Sequence, residues 1–329
     1  MAQTYAQALT TPNLVGAVRD VSDTINNLDK QETPFVTAIG RKKSASSDFC
    51  EWEVEKFDVL DADYASEEAK LADPEKTSQP DFIGNHQHTV DKTASVSTKA
   101  EKVKQYNVQK KLAREVRRHT VSLKIVQNRR ALGNYGSQDA KTAADGKGKF
   151  GSALALLEAD KVNKGAGYVH GGYDATTKLI TPYTPGTARD LTYDMFIDTM
   201  TNIAKGRKMS NYDLFANAYQ RTRISQEWKG IASLTQEVGS PTKDIGLQGS
   251  LGFIKTDYGI VRIHYDHTAP EDAVGIYDVS LLHMNDLEPW RTQDLGRRGL
   301  SKEKQVWNTT TFVNKNPAGH GAIVDLTVA

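Results

Sequence analysis

The sequence predicts an α+β fold, with strand blocks and helix blocks kept apart along the chain rather than alternating. Three observations predict it. Residues 48–60 and 88–97 alternate with period two, residues 100–132 carry a helical stripe without proline or glycine, and residues 251–265, 273–277, 305–313 and 322–328 read as strands. With 329 residues the chain is long enough for one large or two ordinary domains and a sizeable core.

At the N-terminal end, Leu14, Val18, Val21, Ile25 and Leu28 recur at helical spacing, with Thr11-Pro12-Asn13 at the start, so a short amphipathic helix is expected. An extended arm follows it. The arm holds one apolar anchor, Thr33-Pro34-Phe35 with Val36 and Ile39, free to dock on the chain's own body or on an adjacent subunit. From Asp48 to Leu60, Cys50, Trp52 and Val54 face one way and Glu51, Glu53 and Glu55 the other, which describes a strand with one wet, acidic face. Residues 61–85 lack periodicity and read as a long loop. His88, Val90, Lys92, Ala94 and Val96 alternate with polar residues and form the second strand of an extended hairpin.

A helix is expected from Ala100 to Leu132, with Val103, Tyr106, Ala113, Val116, Leu123 and Val126 on its stripe and Gly133-Asn134 at its end. Residues 133–190 are glycine-rich and loop-like, apart from the apolar run Ala153–Leu157. A helix capped by Asp190 or Thr192 carries Phe196, Met200 and Ile203 and stops at Gly206; Tyr212–Ala216 is a strand, and Asn217 caps a helix toward Trp228. Two strands surround Asp257-Tyr258-Gly259, another spans Ala273–Tyr277, and Gln305–Val313 turns at Asn316–Gly319 into a return strand, Ala322–Val328.

Catalytic and ligand-binding patterns are absent. Gly146-Lys147-Gly148-Lys149-Phe150-Gly151-Ser152 lacks the spacing of a phosphate loop and follows no apolar strand, so it reads as a linker. His264, Asp266 and His267 do not share one strand face, and His86 with His88 supplies only two nitrogens. Cys50, the sole cysteine, excludes an intrachain disulfide and a thiolate cluster; beside Glu51 it is expected as a buried strand residue and not as a nucleophile. No enzyme, cofactor or metal is expected. There is no charged start followed by an apolar run and no stretch near the ~18 apolar residues of a membrane span, so no membrane partner is expected and the cytoplasm is the expected compartment.

Charge segregation stands out. The formal net charge is +1, yet residues 48–81 hold twelve acids, Glu67 and Glu68 among them, against three lysines. Residues 100–130 hold ten basic residues, including Arg114, Arg117 and Arg118, against Glu101 and Glu115. Two readings follow: self-association of the acidic hairpin on a neighbour's basic surface, or a nucleic-acid-binding module using the basic helix.

The run NLVGAVRDVSDTINNLDKQETPFVTAIGR at residues 13–41, followed by Glu51-Trp52, resembles the N-terminal region of a family of tailed-bacteriophage major capsid proteins. The Asp257-Tyr258-Gly259 hairpin, Pro289-Trp290-Arg291-Thr292-Gln293-Asp294-Leu295 and Asn316-Pro317-Ala318-Gly319-His320-Gly321-Ala322-Ile323 extend the resemblance to the C-terminal half. It implies the capsid fold called the Hong Kong ninety-seven type. Residues 1–47 are then the N-terminal arm, 48–99 the extended hairpin loop, 100–190 and 285–329 the peripheral domain with a spine helix over 100–132, and 191–284 the axial domain.

The implied function is a major capsid protein that assembles into pentamers and hexamers of an icosahedral shell around double-stranded DNA, in the virion. The implied partners are copies of itself, a portal protein, scaffolding and decoration proteins, and the packaged DNA. Residues 1–47 are too short for a built-in scaffolding domain. Lys70 and Lys76 are the candidates for intersubunit crosslinking, which is not expected because acidic neighbours keep their ammonium groups charged. Expected intersubunit contacts are Phe35, Glu51, Trp52, Glu53, Glu55, Glu67, Glu68, Arg114, Arg117 and Arg118.

Overall fold

A computed structural model describes residues 32–55, 79–103, 110–206, 211–228 and 252–328. The expected helix over Leu14–Leu28, Glu67, Glu68, Lys70 and Lys76 lie outside the described residues.

The anchor segment is helical, not extended. Pro34 sits in the first turn of α1 (Pro34–Ile39), where its fixed φ suits a helix start and its missing N–H costs nothing. Phe35, Val36 and Ile39 are buried, and Gly40 at φ +71 turns the chain into β1 (Arg41–Lys42).

β2 (Phe49–Val54) pairs antiparallel with β3 (Asp81–His86), from Phe49 opposite His86 to Val54 opposite Asp81. This corrects the expected hairpin in two ways: residues 81–85 are strand rather than loop, and β4 (His88–Ser97) pairs elsewhere. Period-two alternation identifies a strand but not its partner. β3 escaped the pattern because Asn85 is buried in it. Its side-chain amide donates to the carbonyls of Gly151 (3.0 Å) and Phe312 (2.9 Å) and accepts from Gly151 N (2.8 Å), a full set of partners for a polar core residue.

The expected helix over residues 100–132 is two helices. α2 (Thr98–Lys102) is capped by Ser97 Oγ, and Val103 leaves it in an extended conformation. α3 (Lys111–Leu132) begins beyond the break, with Lys111 Nζ donating to the carbonyl oxygens of Ala100 and Val103 at 2.5 and 2.6 Å. The expected stripe also misplaced the core: Val103 and Val126 are exposed, whereas Leu123, Gln127, Asn128, Ala131 and Leu132 are buried. Two polar residues hold the inward face because each finds partners there.

The glycine-rich stretch contributes to the core. A 3-10 turn over Leu154–Leu156 is fully inside, and β5 (Val162–Asn163) and the hairpin β6 (Gly172–Asp174) with β7 (Leu179–Thr181) follow. α4 (Tyr193–Gly206), β8 (Tyr212–Ala216) and α5 (Ala218–Glu227) fall where expected, and Asn217 Oδ1 caps α5 at Gln220 N (2.9 Å). β9 (Phe253–Thr256) and β10 (Gly259–Tyr265) form the expected hairpin, with Gly259 at φ +130, and β11 (Val274–Tyr277) follows.

The longest strand escaped the sequence reading. β12 (Leu282–Arg298) runs beside β13 (Ser301–Asn314), with register shifts flanking Glu288 and Gly296. Pro289 is tolerated because the ladder is already interrupted there. β14 (Gly321–Ile323) ends the described strands.

Two main sheets result. One has the order β5-β14-β11-β8-β10-β9, the other β1-β12-β13-β4. The inward face of α4 (Phe196, Met200, Ile203) and Ile224 of α5 pack on Leu214, Val261, Ile263 and Ile276, burying one face of the six-stranded sheet. A second core joins Phe215, Tyr277 and Ala322 of the opposite face to Phe35, Leu132, Leu154–Leu157, Met284 and Phe312. That core holds the two sheets together.

Candidate assembly surfaces

The apolar anchor of the arm, α1, docks on its own chain, one of the two alternatives the sequence left open, and this corrects the expected intersubunit role of Phe35. Phe35 is fully buried, edge-on to Phe215 at 5.1 Å and tilted toward Tyr277 (5.4 Å) and Phe312 (6.2 Å). It is a core residue of its own subunit rather than an intersubunit contact.

Polar groups complete the dock. Asp266 Oδ2 accepts from Phe35 N (3.4 Å) and Asn128 Nδ2 (2.6 Å), and Oδ1 from Thr268 N and Oγ1 (2.8 Å each). Asn128 Oδ1 accepts from Val36 N at 2.9 Å. The free N–H groups at the start of α1 are thereby satisfied by side chains of α3 and of the turn after β10. Two residues past α1, Arg41 donates to Asp286 (2.9 Å), Gln127 (2.5 Å) and Asn308 (3.3 Å). Burial lowers the Arg41 pKa, and Asp286 opposes that shift by stabilising the cation.

The hairpin differs. β2 and β3 form a two-stranded sheet separate from both main sheets. Glu51, Glu53 and Glu55 are exposed, and Trp52 is half-buried on the other face with its indole N–H enclosed and without a partner among the described residues. Glu51 meets Lys178 at 3.0 Å, and the same ammonium lies 5.3 Å over the Phe49 ring. Cys50 is half-buried; its thiol pKa is raised chiefly by burial, with Asn285 opposing and Glu51 adding to the shift.

On α3, Arg117 and Arg118 are exposed and Arg114 half-buried. Arg118 pairs with Glu115 at 3.4 Å, while Arg114 and Arg117 have no acidic partner among the described residues. Arg114 and Lys111 also line an open cavity of about 360 Å³ with Ser95, Val96, Ser97, Ala100 and Glu115.

The histidines are otherwise engaged. His86 ends β3 against the Phe49 ring (4.7 Å), and His88 starts β4 against Phe150 (5.3 Å), where burial pushes its pKa down to about 4, helped by Arg130 and Lys149. His264 Nε2 lies 2.7 Å from Asp213, which Arg262 approaches at 3.2 Å. No cluster of three metal-ligating residues occurs among the described residues.

Sequence reasoning passed over Asn85 and Asn128 and weighed Asp266 only as a metal ligand, yet these polar residues fix the arm and the root of the hairpin. A single buried Asn or Asp carries no local signature.

The 22-residue helix α3, two sheets joined through one core and a charged hairpin outside both sheets match a family of shell-building structural proteins, which are not enzymes. The chain belongs to the SU10 major capsid protein family, whose model matches residues 2–327. Among solved structures it is similar to the subunit of the cyanophage A-1(L) capsid, at TM-score 0.66 and 12% identity over 97% of this chain and 99% of that one. The capsid of the native GTA particle matches at TM-score 0.63 and 13% identity, covering 98% and 100%. The holo-SrpI encapsulin complex of Synechococcus elongatus PCC 7942 matches at TM-score 0.58 and 9% identity, covering 99% and 98%. No curated protein matches. The chain is thus a shell-forming capsid protein that associates with itself into capsomers, and its place is the capsid shell of the virion. The alternative of a nucleic-acid-binding module finds no support in the family.

Proposed function

We propose that the chain forms hexamers and pentamers that close an icosahedral shell, and that the acidic hairpin of each subunit lies on the basic outer face of a neighbour's α3. The carrying observation is that an isolated two-stranded sheet, a marginal unit in water, presents Glu51, Glu53 and Glu55 while α3 presents Arg114, Arg117 and Arg118. Trp52, on the opposite face of β2, and Glu67 and Glu68, outside the described residues, are proposed as further intersubunit contacts.

In this reading, the arm is residues 1–47, and of the span 48–99 only the part up to His86 is the hairpin loop, because β4 (His88–Ser97) pairs with β13 in the sheet of the peripheral domain. The peripheral domain is 100–190 with 285–329 and the axial domain 191–284, to which the sheet pairing of β5 and β14 adds two short strands. Further partners are a portal protein, scaffolding and decoration proteins, and double-stranded DNA held by non-specific contact, with assembly in the host cytoplasm.

The test is charge reversal of Arg114, Arg117 and Arg118 to Glu, followed by negative-stain imaging and light scattering. The expected result is a folded subunit that no longer forms shells, with recovery when Glu51, Glu53 and Glu55 are changed to Lys in the same chain. Shells of normal yield from the arginine variant would refute the proposed contact.

A further inference from the structure

The six-stranded sheet is covered unequally. α4 and α5 bury one face, and the second core, led by Phe35, covers the other only as far as Phe215 and Tyr277. Beyond His264, which stacks on Phe215 at 5.1 Å, no element among the described residues packs on that second face. Two rungs of the β9–β10 ladder lie there, Phe253 opposite Arg262 and Lys255 opposite Ile260. Phe253 is 64% exposed and Ile260 41% exposed. Two large, exposed apolar side chains placed diagonally across adjacent strands, at the β9 edge of the sheet, are a surface that asks for cover.

The opposite side of the same slab carries the complementary chemistry. Asp194 and Asp198 lie one turn apart on the exposed face of α4, and neither forms an ion pair among the described residues. Like charges at that spacing destabilise a helix by a few tenths of a kcal/mol, a conflict that a cation from outside relieves. On the sheet side, Lys255 is exposed and has no acidic partner among the described residues, and Arg262 is 55% exposed although it shares Asp213 with His264.

We propose that this β9–β10 face receives the α4 face of a second copy, Lys255 and Arg262 meeting the neighbour's Asp194–Asp198 pair around a contact made by Phe253 and Ile260. The two patches lie on opposite faces of one sheet, so the contact is head-to-tail, and a head-to-tail contact that closes makes a ring. It is therefore the contact that closes a capsomer, separate from the hairpin and α3 contact, and it presupposes that the chain assembles.

Three full-length variants test it: Lys255→Glu with Ile260→Glu, Asp194→Lys with Asp198→Lys, and the four changes combined. None of these side chains holds a buried partner among the described residues, so each variant should keep the native circular dichroism and melting curve. Each double variant should raise the protein concentration needed for capsomers, read by light scattering, about 100-fold or more, because like charges then face each other. The combined variant should assemble within about tenfold of the natural chain, because the charges are exchanged rather than lost. Normal assembly of the Lys255→Glu/Ile260→Glu variant, or no recovery in the combined one, would overturn the inference. A natural chain that forms no capsomers under any condition would instead remove the shell-forming premise, and this contact with it.

Discussion

The arm helix α1 and the hairpin β2–β3 are neighbours in sequence and opposites in how they hold to the body. The arm places three apolar side chains in the core and satisfies the amides of Phe35 and Val36 with Asp266 and Asn128. The hairpin is fixed at its root, through Asn85, and beyond it the contact of β2 with the β6–β7 turn is an exposed ion pair. Burial decides the difference. A segment whose apolar residues are inside its own chain contributes to the stability of the subunit, whereas one whose charges face water contributes through whatever it later meets.

The largest effect should come from Phe35→Ala. Removing a fully buried phenyl ring in contact with Phe215, Tyr277 and Phe312 should destabilise the isolated subunit by about 3–5 kcal/mol, measured as a shift of the denaturant midpoint. A loss below about 1 kcal/mol would mean that the arm is not part of the core, and the contrast with the hairpin would fail.

Which parts were legible follows the same division between local and distant causes. α4, the Asn217 cap and the Gly259 hairpin announce themselves through spacing, a capping side chain and a turn glycine, signals contained within a few residues. β3 and β12 do not, because buried Asn85 breaks the alternation of one and Pro289 with its bulges breaks the other. The break between α2 and α3 was hidden because Val103 looks like a stripe residue although it is exposed. For the assembly surfaces, the charges of Glu51, Glu53, Arg117 and Arg118 were readable as exposed positions. The dock of Phe35 was not, since its hosts are as distant in sequence as Phe215 and Phe312.

A second effect separates the hairpin root from the arm by pH. The neutral ring of His88 is favoured in the folded chain, where its pKa is about 4 against an ordinary 6.5. The resulting stability is fully present above about pH 6.5 and is lost as pH falls toward 4, up to about 3 kcal/mol. Hydrogen exchange should therefore accelerate at the β3–β4 junction before it does so at α1, and His88→Gln should flatten that part of the pH profile. Equal acceleration in both regions would show that acid acts on the whole core instead.

The smallest effect concerns Lys178, the residue tying β2 to the β6–β7 turn. Its ion pair with Glu51 is exposed on both sides, at 55% and 39%, so the pair contributes at most about 1 kcal/mol, with a similar ceiling for the cation over Phe49. Lys178 also sits at φ 56, a left-handed conformation that a residue with a Cβ adopts at a cost of about 1 kcal/mol and glycine adopts freely. Two substitutions separate these terms. Lys178→Ala loses the contacts and keeps the strain, and should lower stability by about 1 kcal/mol; Lys178→Gly loses the contacts and relieves the strain, and should be close to neutral. If both variants lost more than about 2 kcal/mol, the hairpin would be anchored to its own body far more firmly than an exposed pair allows, and its acidic face would be a poor candidate for a partner's surface.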